Sequence, residues 1–303
     1  MSRIVGIDLG GSKLSAVAVE SDRWEVPVAA GRRPLPTTSE ELVSAIVDLY
    51  LEVGGGQATG LGLGVAGLLD VDAGVLVSAP HLPGREVDLG SLLRQRLGFR
   101  PALLNDADAA ALAELGGGAA RGASSAVVIT IGTGVGCGLI IDGLVYRGRG
   151  FAGEPGHMTM EEPGRPCPCG RRGCWETLVS GRVLDQQAER LGLGPSASAL
   201  VAAGESGDAR AKEVLAAAGV WLGKGLAILT AVLDPEIFVI GGGVAAAGDM
   251  LLDPAREALE GWSQAQAGRL PTPIVRARFG GDAGAIGAAR NWSLSANPGS
   301  DLI

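Results

Sequence analysis

Short apolar runs that stop at glycine recur along this 303-residue chain. Arg3-Ile4-Val5-Gly6-Ile7-Asp8 reads as a buried strand, Leu9-Gly10-Gly11-Ser12-Lys13 as a turn and Leu14 to Val19 as a second strand, which predicts a hairpin with a glycine-rich tip. Trp24 to Val28 is predicted as a third strand. Thr38-Ser39-Glu40-Glu41 is a capping box, and the apolar spacing of Leu42, Ile46 and Leu49 predicts a helix behind it that ends at Gly54-Gly55-Gly56. Leu61 to Val65 follows as a strand and Leu89 to Leu97 as a helix stopped by Gly98. Ala102 to Leu104 is a strand that delivers Asn105-Asp106 to the start of the next helix. Strands alternating with helices predict an α/β sheet.

The opening pattern returns in mid-chain. Val127-Val128-Ile129-Thr130-Ile131 runs into Gly132-Thr133-Gly134 and then into Cys137 to Ile141, so that Asp8-Leu9-Gly10-Gly11 aligns with Thr130-Ile131-Gly132-Thr133. Two halves that begin alike predict a duplicated α/β unit with a cleft between the copies. The expected division is residues 1–115, completed by a C-terminal helix at about 284–303, and a larger unit at 116–283. A third glycine cluster, Gly241-Gly242-Gly243, follows the apolar run Ile237 to Ile240. Val214 to Leu233 is the longest apolar stretch. Lys224 and three glycines interrupt it, which favours a buried helix over a membrane span. A last helix, Ala283 to Trp292, is predicted to pack on the first unit, with the final ten residues frayed.

Composition narrows the partners. The chain is 47% hydrophobic and 19% charged, with 50 glycines and a net charge of −8, which speaks against a nucleic-acid partner held by phosphate neutralisation. No signal peptide or membrane span is read, so the expected address is the cytoplasm.

Three of the four cysteines fall within eight residues, Cys167, Cys169 and Cys174, with His157 just upstream. Cys₃His is a closed zinc set that leaves no open position for an activated water, so a structural Zn²⁺ is expected. The alternative is a disulfide, which three clustered cysteines cannot form evenly. Cys137 is expected to be an inert core thiol.

Glycine tips expose backbone N–H groups that can point at phosphate oxygens. Ser12, Thr133 and Lys13 add hydroxyls and one positive charge, so Gly10, Gly11, Gly132, Gly134 and the Gly241–Gly243 run are candidate contacts for a nucleotide. Asp8, at the end of the first strand, is placed to hold Mg²⁺ through water. Asp106 is the candidate to accept a proton from an attacking hydroxyl in phosphoryl transfer, although a cap at a helix start is the plainer role for Asp. Asn105, Glu154, His157 and Glu176 offer the amide, carboxylate and imidazole groups that a polyhydroxylated ligand requires.

With these motifs assembled, the chain resembles the ROK family of sugar kinases and related repressors from Ile4 to about Asn291. The likeness rests on Asp8 to Lys13, Asn105-Asp106-Ala107, Ile131 to Gly134, Glu154-Pro155-Gly156-His157, Cys167 to Glu176 and Gly241 to Gly243. It implies a duplicated actin-like, hexokinase-like (ribonuclease H-like) ATPase fold, a structural zinc, and MgATP-dependent phosphorylation of a hexose. It also implies that Asp106 is the general base, that Asn105, Glu154, His157 and Glu176 contact the sugar, that the three glycine motifs contact ATP, and that the protein is a homodimer or homotetramer. By motif the nearest group is the zinc-containing bacterial glucokinases, which makes glucose the leading substrate. The chain departs from the family pattern at His81-Leu82-Pro83-Gly84-Arg85, at Asp108 where Asn is common, and at Pro155. The alternatives are a kinase for another hexose such as N-acetylmannosamine and a catalytically silent sugar-binding protein. The kinase-like body begins at Arg3, so a repressor with a DNA-binding helix-turn-helix is not expected.

Overall fold

A computed structural model describes residues 2–79, 82–264 and 270–296. The chain divides into two compact units. Unit 1 comprises Met1–Gly122, Val145–Ala152 and Gly281–Ile303, and unit 2 comprises Ala123–Leu144 and Gly153–Gly280.

In unit 1, β1 (Arg3–Leu9), β2 (Lys13–Glu20) and β3 (Ala29–Pro34) form an antiparallel meander, and β4 (Ala58–Val65) lies parallel to β1 on its other side. Between β3 and β4, Thr38 and Glu41 close the capping box that starts α1 (Ser39–Gly54). Its C-cap Gly55 takes the left-handed conformation, φ 59°. A small three-stranded sheet of β5 (Leu68–Asp70), β6 (Val75–Ser78) and β7 (Arg85–Asp88) precedes α2 (Leu89–Leu97). Then β8 (Ala102–Asn105) adds to the main sheet beside β4 and leads into α3 (Asp106–Gly117). The strand order is β3-β2-β1-β4-β8.

Unit 2 repeats that order. Antiparallel β9 (Ala126–Ile131) and β10 (Val135–Ile141) are followed by β11 (Leu144–Tyr146), then by α4 (Glu176–Val179), α5 (Gly181–Arg190), α6 (Ala197–Glu205) and α7 (Ala209–Leu233). After these, β12 (Ile237–Gly241) pairs parallel with β9. It is followed by α8 (Asp249–Gln264) and β13 (Ile274–Arg276), which gives the order β11-β10-β9-β12-β13. The duplication predicted from the sequence is therefore present strand for strand, in the arrangement of the actin-like ATPases.

The equivalence extends to register. Leu9 pairs with Leu14 across the first tip and Ile131 with Val135 across the second, so the second tip is one residue shorter.

The final helix, α9 (Ala283–Ala296), belongs to unit 1 and lies directly on its sheet. Side chains are absent at the contact: a Cβ on Gly6 or Gly62 would collide with the carbonyl oxygens of Ala285 and Ala288. The helix continues three residues into the stretch predicted to fray. Residues 297–303 and His81 lie outside the described residues.

One predicted strand is displaced. Trp24–Val28 forms turns, with Arg23 N donating to Glu20 O and Val26 N to Arg23 O, and the strand begins only at Ala29. Val26 and Val28 have no core to enter and stay half exposed, while the Trp24 ring carries the Arg290 guanidinium at 4.3 Å. The long apolar stretch forms α7, whose buried side carries Leu215, Leu222 and Leu226. Among the described residues it is the one helix that is long and apolar enough to cross a membrane by length and composition.

Candidate active site

Each candidate residue is held by the local structure of its own unit. In unit 1, Asp8 is the penultimate residue of β1, and a tight turn follows in which Gly10 N donates to Lys13 O at 3.1 Å. Ser12 and Lys13 are exposed at the tip. The first turn of α9 leaves room for the Asp8 carboxylate because residue 284 has no side chain: a Cβ there would lie 2.8 Å from Asp8 Cγ. On β8, which β4 separates from β1, Asn105 is the N-cap of α3. Its Oδ1 accepts from Ala107 N at 2.8 Å and from Asp108 N at 3.3 Å. The cap is thus Asn105, not the aspartate beside it. Asp106 uses Oδ1 to accept from Ala107 N at 2.9 Å, which fixes the carboxylate over the helix N-terminus.

Three carboxylates crowd this corner. Burial raises Asp8 to about 8, with the charge of Asp106 adding to the effect and Lys13 opposing it. Burial also raises Asp106, against the backbone hydrogen bond from Ala107. Asp108 rises to about 6 through burial, offset by Arg147, whose Nε lies 3.6 Å from its Oδ2. The sequence marks Asp108 only as a departure from the family pattern and gives no sign of Arg147.

The sign of the linkage follows. A carboxylate whose pKa is higher in the folded than in the unfolded chain makes folding less favourable as pH rises through the interval between the two values. Ligand-free protein is therefore expected to melt at a lower temperature at about pH 8 than at about pH 5, a span covered by Asp8. Asp8→Asn is expected to flatten that slope in thermal melts. A slope unchanged by the substitution would remove Asp8 as its source.

In unit 2, the second tip closes with Gly132 N donating to Gly134 O at 3.0 Å, and Thr133 is exposed. The Gly241–Gly243 run lies against it. Gly241 pairs with Thr130, and Gly242, at φ 82°, has no room for a side chain beside the carbonyl of Ile131. Gly181 N, at the start of α5, donates to Gly132 O at 2.7 Å. Two of the three glycine motifs thus form one surface, while the first belongs to unit 1.

Glu154 precedes a single 3-10 turn, Pro155–His157, laid against β10. His157 turns its two nitrogens to different partners: Nε2 is 3.8 Å from Glu154 Oε2, and Nδ1 is 3.8 Å from Cys167 Sγ. The donor atoms of His157, Cys167, Cys169 and Cys174 all lie within 4.8 Å of one another, a group able to hold a metal ion. None of the four cysteines is in a disulfide, and Cys137 is buried and lies outside the cluster, so no disulfide competes. Burial pushes the Cys167 thiol up to about 12. At Cys169 burial is outweighed by hydrogen bonds from Arg171 and the neighbouring thiols, which draw it down to about 7.

Trp175 anchors the loop. Its ring is fully buried, Nε1 donates to Trp221 O on α7 at 2.8 Å, and the ring packs against Gly225, where a Cβ would collide with it. Burying about 200 Å² of aromatic surface contributes on the order of 5 kcal/mol as an upper estimate. Glu176 is thereby placed at the first turn of α4, with Oε2 accepting from Val135 N at 3.1 Å and Oε1 from Arg182 Nη2 at 3.1 Å.

Comparison with protein families matches residues 4–293 to the ROK family. The chain belongs to the ROK family. This ROK protein is 33% identical to the glucokinase of Streptomyces coelicolor over 95% of its own length and 97% of that protein's. Among solved structures, a ROK family glucokinase from Streptomyces griseus in complex with glucose and AMPPNP superposes with a TM-score of 0.89 at 33% identity, covering 96% of this chain and 99% of that one. The ROK hexokinase from Thermus thermophilus gives 0.78 at 33% identity, with 98% and 100% covered.

Proposed function

We propose that this ROK protein is an ATP-dependent hexose kinase that transfers the γ-phosphoryl group of ATP to the 6-hydroxyl of glucose. The observation that carries the reading is the carboxylate of Asp106. Its Oδ1 is tied down by Ala107 N–H and its pKa is raised by burial, in a chain 33% identical over nearly its whole length to a protein solved with glucose and a nucleotide.

A general base works best when its pKa lies near the working pH, and burial raises Asp106 in that direction. With Oδ1 engaged by the backbone, Oδ2 is the oxygen left to accept the hydroxyl proton. Asn105 spends its carbonyl oxygen on the helix cap, so its amide N–H groups are what it offers a sugar hydroxyl. Glu154, His157 and Glu176 offer carboxylate and imidazole groups to sugar hydroxyls. The amides of Gly10, Gly11, Gly132, Gly134 and Gly241–Gly243, with Ser12, Thr133 and Lys13, receive the phosphates.

Asp8 fits Mg²⁺. It is a part-buried carboxylate whose charge is opposed by burial and by Asp106 and only partly met by Lys13, a setting that a divalent cation relieves. When bound, such an ion neutralises charge on the transferring phosphoryl group. The His157–Cys167–Cys169–Cys174 group fits Zn²⁺. Arms of about 2.3 Å make a tetrahedron with edges of about 3.8 Å, and the separations are 3.6 Å for Cys169–Cys174 and 3.8 Å for His157–Cys167. With Nδ1 turned to the metal, His157 keeps Nε2 for a substrate hydroxyl. An enzyme that consumes ATP and free sugar works where both are present, so the cytoplasm is the compartment this reading implies.

A second reading, phosphorylation of another hexose such as N-acetylmannosamine, draws on Pro155 and Asp108, which change the sugar side and leave the phosphate side intact. ADP release measured with glucose, mannose, fructose, N-acetylglucosamine and N-acetylmannosamine is expected to give the highest kcat/KM with glucose. A different preferred sugar would favour the second reading. No turnover with any of them, in zinc-replete protein, would overturn the kinase assignment.

A further inference from the structure

Glu176 stands where three parts of unit 2 meet, and each engages the carboxylate separately. Oε2 accepts from the backbone of Val135, the residue after the second glycine tip. Oε1 accepts from Arg182 Nη2 at 3.1 Å and lies 3.9 Å from Cys167 Sγ. Arg182 is itself fixed in place: it is the second residue of α5, and the first, Gly181, is bonded through its N–H to Gly132 O at 2.7 Å. The pair is well sheltered, with the Glu176 side chain 12% and the Arg182 side chain 32% exposed.

We propose that Arg182 is a positioning residue for sugar binding, whose guanidinium holds the Glu176 carboxylate beside the metal loop in the orientation that meets a sugar hydroxyl. The inference rests on the reading of Glu176 as a sugar contact. A carboxylate has about four acceptor positions, and the protein fills one on each oxygen. The remaining ones meet a ligand hydroxyl in a fixed direction only if the carboxylate does not rotate.

Val135 N–H alone would hold one oxygen and leave the other free to swing. Arg182 pins the second oxygen, because a charge-assisted bond is stronger and shorter than a neutral one and its planar donor fixes direction. Arg182 has no part in the phosphoryl chemistry, so its loss should appear in sugar affinity.

The test is a set of kinetic measurements on zinc-loaded protein. Arg182→Met is expected to raise the KM for glucose about tenfold, the size of one charge-assisted hydrogen bond, with kcat and the KM for ATP close to wild type. Zinc content and melting temperature should be retained, and Arg182→Lys should restore part of the affinity by returning a point charge. In a Glu176→Gln background, Arg182→Met should raise the KM no further. An unchanged glucose KM in Arg182→Met, together with a raised one in Glu176→Gln, overturns the positioning role alone. An unchanged KM in Glu176→Gln overturns the sugar-contact reading and the proposal with it. Loss of zinc with the two KM values rising together would show Arg182 to be a structural brace and would overturn the proposal.

Discussion

Asp106→Asn is expected to lower kcat by roughly 10²–10⁴-fold, the usual contribution of a positioned general base, while glucose binding stays largely intact. The substitution is close to a pure test because of how the residue is held. The Oδ1 that accepts from Ala107 N–H is present in Asn as well, so the start of α3 keeps its hydrogen bond, and Asn105 still caps the helix through its own side chain. What disappears is the ability to take a proton. Removing the carboxylate whose charge acts on both Asp8 and Asp108 also relieves repulsion, so stability should rise or stay level. The measurement is ADP release at saturating glucose and ATP, with glucose affinity followed separately by calorimetry. A kcat within tenfold of wild type would remove Asp106 from the base role. A lost affinity for glucose would make it chiefly a sugar ligand. In the unaltered enzyme the sign of the pH dependence follows from the same residue. Burial raises its pKa, so activity should fall on acidification at a higher pH than an ordinary carboxylate would give.

Sequence reveals those parts of this site whose chemistry is local. A strand that ends in Asn105-Asp106 before a helix, a hairpin tipped by glycines, and three cysteines with a histidine each carry their meaning within a few residues. The repetition of one strand order in two halves was legible because Asp8-Leu9-Gly10-Gly11 and Thr130-Ile131-Gly132-Thr133 occupy matching register positions. Strands β5 to β7 were not, since segments of three or four residues such as Leu68–Asp70 are too short to show a period. Trp24–Val28 misled for the opposite reason: its aromatic and β-branched residues look like a strand, but only tertiary contacts show that its valines meet no core. Arg182 and Arg147 were also invisible. The first reaches Glu176 across the break between two helices at Ser180, and the second reaches Asp108 from 39 positions along the chain. Surface arginines are common, and nothing near either one in sequence says what it touches.

Cys169→Ser is expected to cost the protein its metal and, with it, most of its affinity for sugar. Cys169 is the informative cysteine because it is exposed, whereas Cys167 and Cys174 are buried, so exchanging its sulfur for oxygen disturbs little packing. It is also the thiol drawn down to about 7, and so the one poised to enter the site as a thiolate near neutral pH. Altering a residue that merely supports a metal ligand typically costs about 10–100-fold in affinity, and loss of a ligand itself should exceed that. The consequence for the loop follows from what remains. Trp175 stays packed against α7 through Trp221 O and Gly225, so the fold of unit 2 should survive and Glu176 should keep its anchor. His157 loses the partner that orients its ring, because the contact from Nδ1 to Cys167 was one edge of the cluster. Elemental analysis should give one zinc per wild-type chain and clearly less in the variant, and the KM for glucose should rise at least about tenfold, with kcat less affected, since no position at a closed site is left to activate water. Full zinc occupancy in the variant would remove Cys169 from the ligand set. Zinc loss with an unchanged KM would mean that Trp175 and the turn at Pro155 hold His157 and Glu176 without help from the metal.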